Sequence, residues 1–266
     1  LHLGTLQRHA AGHDQADITG AKDDHLAARE IALHVHQPLG RTGGVDAGGA
    51  VAWDVQRTAR ALPAQGYVQP YPDFPLDHFN VAENAYLHLI QRADHYVYIT
   101  TPYLILDNEF VTTLKTTAES GVDVRVMYDD FGCITRLPMR YCKKLREMGI
   151  QAHVFNPFIP VLSGRLNNRD HRKLMLIDGK VGFTGGINLA DEYINAITRF
   201  GYWKDAGLRI EGAAVWNFTV MFLDFWNAFR PFEQDYSTFR PQLAVLPASD
   251  GVVQPYADSP LDEEPV

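Results

Sequence analysis

The stretch HRKLMLIDGKVGFTGGIN, running from His171 to Asn188, decides how the rest of the 266-residue chain is read. Its apolar run of four residues, then Asp178-Gly179, then VGFTG, reads as a strand, a tight turn and a second strand, because Asp-Gly suits the positive-φ positions of a hairpin. Gly185 and Gly186 follow as a bend. Side chains on a strand alternate between faces, so His171 and Lys173 share a face about 6 to 7 Å apart while Arg172 points the other way. One phosphate group can touch both. A neutral imidazole can attack phosphorus, its protonated form can give a proton to a leaving oxygen, and the lysine supplies a fixed cation. Gly185 and Gly186 admit backbone N–H groups to a phosphate, and Asn188 adds a neutral donor at the start of an expected helix, where anions are favoured. Taken singly, a His-x-Lys pair is usually a solvated strand face and Asp-Gly an ordinary turn; the spacing of the whole set describes a phosphate site without a metal.

Outward from that stretch, apolar periodicity places the other elements. Asn80 is expected to cap a helix with Val81, Ala85, Leu89 and Ala93 on its apolar face, and a strand follows at about 95–101. A second helix is expected over 108–120, broken by Gly121, then a strand in which Val122, Val124 and Val126 alternate up to Tyr128. A helix over about 138–148, a short strand at Val154-Phe155, a helix near 190–197, a strand over 207–210 and an apolar helix over 213–229 complete the pattern. Strands alternating with helices predict a layered α/β domain.

Residues 1–65 have loop signals at Gly43-Gly44 and Gly48-Gly49 and no sustained period, and they receive no fold assignment. Six of the eleven histidines fall there; His34 and His36 share a strand face, but no third ligand stands at a useful spacing, so no metal site is predicted. The motif GYVQPYPDFPLD at 66–77 recurs as GVVQPYADSPLD at 251–262, with nine identities in twelve. The first copy leads into the helix at Asn80, whereas the second is followed by only four residues. The reading is therefore an unassigned 1–65, a catalytic unit over 66–245, and a linker with the start of a second unit over 246–266.

A formal charge of −8 argues against non-specific nucleic-acid binding, so an anionic substrate needs a local basic pocket. Cys133 and Cys142 have neither disulfide-framework nor zinc-ligand spacing, which suits a reducing compartment. No run approaches the roughly 18 to 20 apolar residues of a membrane helix, and the first residues lack a basic-then-apolar leader.

His-x-Lys-x4-Asp with the later Gly-Gly-x-Asn resembles the HKD signature of the phospholipase D superfamily. RLNNRDHRK at 165–173, FTGGINLADEY at 183–193 and GYWKD at 201–205 are similar to bacterial cardiolipin synthases, a likeness running over about 66–266. The resemblance implies a phospholipase D-like half, a mixed β-sheet between helix layers. It implies that His171 accepts the phosphatidyl group or donates a proton, that Lys173 and Asn188 hold the phosphate with Gly185, Gly186 and Arg169, and that Asp178 completes the signature. Asp205 matches the acidic residue that orients the histidine through its far ring nitrogen. The implied reaction condenses two phosphatidylglycerol molecules to cardiolipin and glycerol, with no cofactor and no metal. It takes place at the cytoplasmic face of the membrane, where a chain without spanning helices makes peripheral contact.

Such enzymes bring two signatures to one site, and this chain has one. A second half in trans or a homodimer is the implied partner, and nucleic acid is not. The alternatives are a single-signature phosphodiesterase or nuclease acting as a homodimer, and a half that only binds phosphate. Residues 66–125, with YITTPYLILDNE at 98–109, are similar to the start of the family's second half and Val126 onward to its first, which implies a junction of two halves near Ser120–Arg125.

Overall fold

A computed structural model describes residues 66–73, 80–138, 140–158, 169–193, 195, 197, 201–229, 235–243 and 253–256. The expectations for 1–65, including His34 and His36, and for most of 246–266 lie outside the described residues.

Seven strands form one mixed sheet in the order β1-β9-β7-β6-β2-β4-β5. They are β1 (Gly66–Asp73), β2 (Tyr96–Thr101), β4 (Asp123–Asp129), β5 (Gln151–Phe155), β6 (Leu174–Ile177), β7 (Val181–Gly185) and β9 (Asp205–Gly212). The pairs β2–β4 and β4–β5 are parallel, and the other four are antiparallel. β3 (Leu104–Ile105) and β8 (Leu189–Ala190) make a separate parallel ribbon. Parallel neighbours need crossover helices, and α2 (Asn108–Glu119) and α4 (Tyr141–Glu147) connect β2 to β4 and β4 to β5.

All six residues of β2 are buried, because both faces of this central strand are covered. Its period-two alternation sorts them. Val97 and Ile99 pack in a core with Ala82, Tyr86 and Ile90 of α1 (Val81–Ile90), Leu114 of α2 and Leu145 of α4. Tyr96 and Tyr98 face the opposite way and pack with Phe222, Leu223 and Trp226 of α5 (Val215–Asn227). The sheet thus lies between two helix layers, as expected for the α-β-α class. Arg125 is buried in the second core beneath the rings of Tyr98, Trp226 and Phe239, with Asp123 2.8 Å from its guanidinium; a charge this buried requires such a partner.

Three local expectations differ. The buried face of α1 is Ala82, Tyr86, Leu87 and Ile90, while Val81 is exposed, so the apolar stripe is rotated by one position from the predicted one. Asn80 makes no capping bond with its side chain; the Ala82 N–H instead donates to Asp73 Oδ2 at 3.2 Å, because β1 ends beside the start of the helix. The helix expected near 190–197 is absent among the described residues: Leu189 and Ala190 pair with Leu104 and Ile105, and strand pairing prevails over local helix preference. A short helix, α3 (Asp130–Cys133), directly follows β4.

Candidate active site at the rim of the sheet

The register brings the carboxyl ends of β1, β2 and β4 to the same rim as the amino ends of β6 and β9, since Asp73 faces Asp205 and Thr100 faces Leu174. The space beyond strand carboxyl ends is where α/β sheets collect ligands. His171 and Lys173 stand on this rim, just ahead of β6, in a segment that is not itself strand.

The structure brings these two side chains together. Lys173 Nζ lies 3.0 Å from Nδ1 and 3.2 Å from Nε2 of His171, and it also donates to the His171 carbonyl at 2.9 Å. Burial, then the lysine charge, hold the imidazole pKa below its ordinary 6.5, against the opposing pull of Asp170 and Asp129. Burial lowers the Lys173 ammonium to about 8, opposed by Asp205 and Asp170. At neutral pH the pair is a neutral, exposed imidazole beside a cation.

Other predicted site residues sit differently. The Asp178 carboxylate accepts from the backbone N–H groups of Asp94 at 2.9 Å, His95 at 2.8 Å and Tyr96 at 2.9 Å. It stands at the far end of β6 from Lys173, 4% exposed, with φ +53° leading into Gly179 at +63°. Asp178, which completes the signature in the sequence, thus ties the hairpin to the start of β2. Gly185 and Gly186 make room for β9. A Cβ on Gly185 would lie 2.6 Å from Ala206 O and from Gly207 Cα, a Cβ on Gly186 would strike the Asp205 carboxylate, and the Gly186 N–H is already spent on Ala206 O at 3.0 Å. Gly185→Ala, with φ +148° as well, is expected to cost about 2 to 3 kcal/mol in urea unfolding.

Asp205 does not reach the imidazole. Its Oδ1 accepts from Ala206 N–H at 2.8 Å, and among the described residues no hydrogen bond joins it to His171; its field acts on Lys173. The expected bond to the far ring nitrogen is therefore not the arrangement present; the carboxylate packs against Gly186.

Asn188 is buried at 4% exposure with no helix following it, so the expected helix-terminal donor is not formed. Among the described residues its Oδ1 has no hydrogen-bond partner, and it lines a pocket of about 330 Å³ with Glu83, Tyr86, Asp107 and Phe110. Lys173 lines the neighbouring pocket of about 310 Å³, with Thr100, Thr101 and Gly185. Tyr86, Ile187 and Leu189 border both.

Arg169 is held by Asp129 Oδ1 at 3.3 Å, the Asn156 carbonyl at 3.2 Å and the Phe131 ring at 4.8 Å. Its partly exposed guanidinium thus already serves the fold at the site. Arg172 turns away, as alternation predicted, onto Asp170 at 2.7 Å and the Phe225 ring at 3.7 Å.

Sequence reasoning missed Asp129 and Asp170, the two buried carboxylates whose fields reach His171. Asp170 adjoins the histidine, and Asp129 ends a strand; an acidic residue at either place was a usable signal.

An exposed His-x-Lys pair on the rim of a mixed, helix-covered sheet, with an Asp-Gly hairpin behind it, marks a phospholipase D-like domain. The family model described as cardiolipin synthase, phospholipase D-like domain, matches residues 86–198. The chain carries a cardiolipin synthase-like domain of the phospholipase D superfamily.

It is 46% identical over 158 residues to an uncharacterized protein of Streptococcus mutans, covering 59% of this chain and 34% of that one. It is 39% identical over 143 residues to cardiolipin synthase 2 of Staphylococcus epidermidis, covering 52% and 29%. With a cardiolipin synthase of Alkalihalophilus pseudofirmus it shares 34% identity over 191 residues, covering 67% and 37%. The chain thus spans about a third of the length of these relatives. A solved structure of Nuc from Salmonella typhimurium, a phospholipase D family member, is 18% identical with a TM-score of 0.45, covering 60% of this chain and 95% of that one. No helix among the described residues is long and apolar enough to cross a membrane.

Proposed function

We propose that this domain is one catalytic half of a phosphatidyl transferase of the cardiolipin synthase type, acting on phosphatidylglycerol or a related anionic phospholipid at a membrane surface. The observation that carries the reading is the Lys173 ammonium within 3.2 Å of both ring nitrogens of an exposed His171. The pair answers a phosphodiester: the ammonium turns from the ring to a phosphate oxygen while a ring nitrogen attacks phosphorus. A P–N bond forms and the P–O bond to the glycerol headgroup breaks, the leaving oxygen taking a proton from a second histidine. The terminal hydroxyl of another phosphatidylglycerol then attacks the phosphohistidine. The P–N bond breaks, and the hydroxyl proton passes to the second histidine, now neutral. Asp205 contributes through Lys173, and the second histidine comes from another half in trans or from a second copy of this chain.

The purified chain, mixed with phosphatidylglycerol vesicles while light scattering follows its mass, tests this. Cardiolipin and glycerol formed by an assembly of two signatures support the reading. A dimer that cleaves simple phosphodiesters yet makes no cardiolipin points to a single-signature phosphodiesterase, and a monomer silent on both sinks the catalytic reading.

The two pKa directions set a pH profile. Attack needs neutral imidazole, whose share rises with pH through a value below 6.5, so the acid limb of kcat/KM lies below 6.5. Phosphate binding needs charged Lys173, which is lost as pH climbs through about 8. Lys173→Arg, with a side chain that stays charged beyond about pH 12, is expected to remove that alkaline loss of phosphate binding, while the fall that follows deprotonation of the second histidine stays.

A further inference from the structure

We propose that Asp170 is a positioning residue for His171: its carboxylate grips the chain on both sides of the histidine and presents a negative field to the imidazole from behind. The geometry is specific. Asp170 is 5% exposed, and Thr100, at the end of β2 and 1% exposed, donates its hydroxyl to Oδ2 at 2.7 Å. Arg172 donates to Oδ1 through Nε at 2.7 Å, and the Asp170 N–H donates to Asp129 Oδ2 at 3.1 Å. The residues before and after His171 are thereby fixed to β2, to β4 and to each other, while the imidazole itself has no side-chain partner except Lys173 among the described residues.

A group that becomes positive as it reacts needs a nearby negative charge that does not compete for the ring nitrogen facing substrate. Asp205 does not touch the ring; Asp170 is its sequence neighbour. Among the described residues the charged groups around His171 are Lys173 and Asp170 on its own segment and Asp129 from β4, with Arg172 and Arg169 each tied to one of those carboxylates. Both carboxylates act to raise the imidazole pKa, Asp170 the more strongly, and Arg172 is turned onto Phe225. A purely structural reading, in which Asp170 only neutralises Arg172, predicts no field of its own at the ring.

The inference rests on His171 as the reactive group, yet its test reads the ring and no lipid. The ring C–H signal of His171, assigned by its loss in His171→Gln, is titrated by NMR in the whole chain. In Asp170→Asn, which keeps shape and removes charge, the midpoint should fall by about half a unit or more. In Asp170→Asn/Arg172→Gln it should stay below that of the unmodified chain. An unmoved midpoint in a folded Asp170→Asn, or its return in the double variant, overturns the proposal. If Asp170→Asn loses its cooperative melt, Thr100→Val decides, since it loosens one grip without changing charge. The His171–Lys173 nuclear Overhauser contact should then weaken, and an unchanged contact overturns the positioning role.

Discussion

In the proposed reaction, His171→Ala should abolish the phosphoenzyme and lower phosphatidylglycerol turnover by a factor of about 10³ or more, the scale at which a nucleophile's removal is felt. The expected size follows from what remains. Without the imidazole, Lys173 still offers an ammonium at the rim, so headgroup binding should weaken by much less than turnover, and the loss should fall on kcat. His171 is exposed and among the described residues its only side-chain partner is Lys173, so the variant should unfold at nearly the urea midpoint of the unmodified chain. Losing the ring also relieves Lys173 of a neighbour without leaving a buried polar group stranded. Acid-labile label from radioactive phosphatidylglycerol, counted on the protein after a rapid quench, measures the intermediate directly. Label retained at unmodified levels in the alanine variant would place the nucleophile elsewhere.

Asp178→Ala, in contrast, should be a stability mutant of the first rank. Its carboxylate satisfies three backbone N–H groups at 2.8 to 2.9 Å at the entrance to β2. Each stranded buried donor costs about 1 to 3 kcal/mol, so the change should cost about 3 to 5 kcal/mol against a domain stability of roughly 5 to 15. Asp178→Asn isolates the hydrogen bonds, because asparagine tolerates the positive φ at this position but offers a single acceptor oxygen. It should lose about half as much. Urea unfolding followed by tryptophan fluorescence checks both; an alanine variant within about 1 kcal/mol of the unmodified chain would refute the anchor role.

The two substitutions separate what the sequence displayed from what it concealed. The types of β2, β4, β5, β6 and β7, and of α2 and α4 between them, were readable because β-branched runs and Gly punctuation are local signals, and the His-x-Lys proximity was readable because the two residues stand only two apart in one segment. Asp178 looked ambiguous because its partners lie more than eighty residues away in sequence, beyond the reach of any periodicity. The face of α1 was misplaced by one position because Tyr86, which packs on Phe183 and bonds Tyr71, counts as amphipathic in a pattern and as core in the fold. The glycines read as a phosphate cradle because a close backbone approach needs glycine whichever partner approaches, and β9 makes such an approach here. Asp205 stands at the start of β9 on the rim, but which neighbour its carboxylate meets is something no spacing reveals.

The four-residue β6 runs between Lys173, which meets substrate in the proposed reaction, and Asp178, which holds the hairpin, about 16 Å away along the strand. One short written word therefore does two jobs under separate selection. A descendant that abandoned the chemistry would be free to drift at its beginning while remaining bound at its end. Copies with the aspartate-glycine pair intact and the histidine and lysine replaced should be folded and silent; copies with the reverse pattern should be rare, because they lose the scaffold before the reaction can matter.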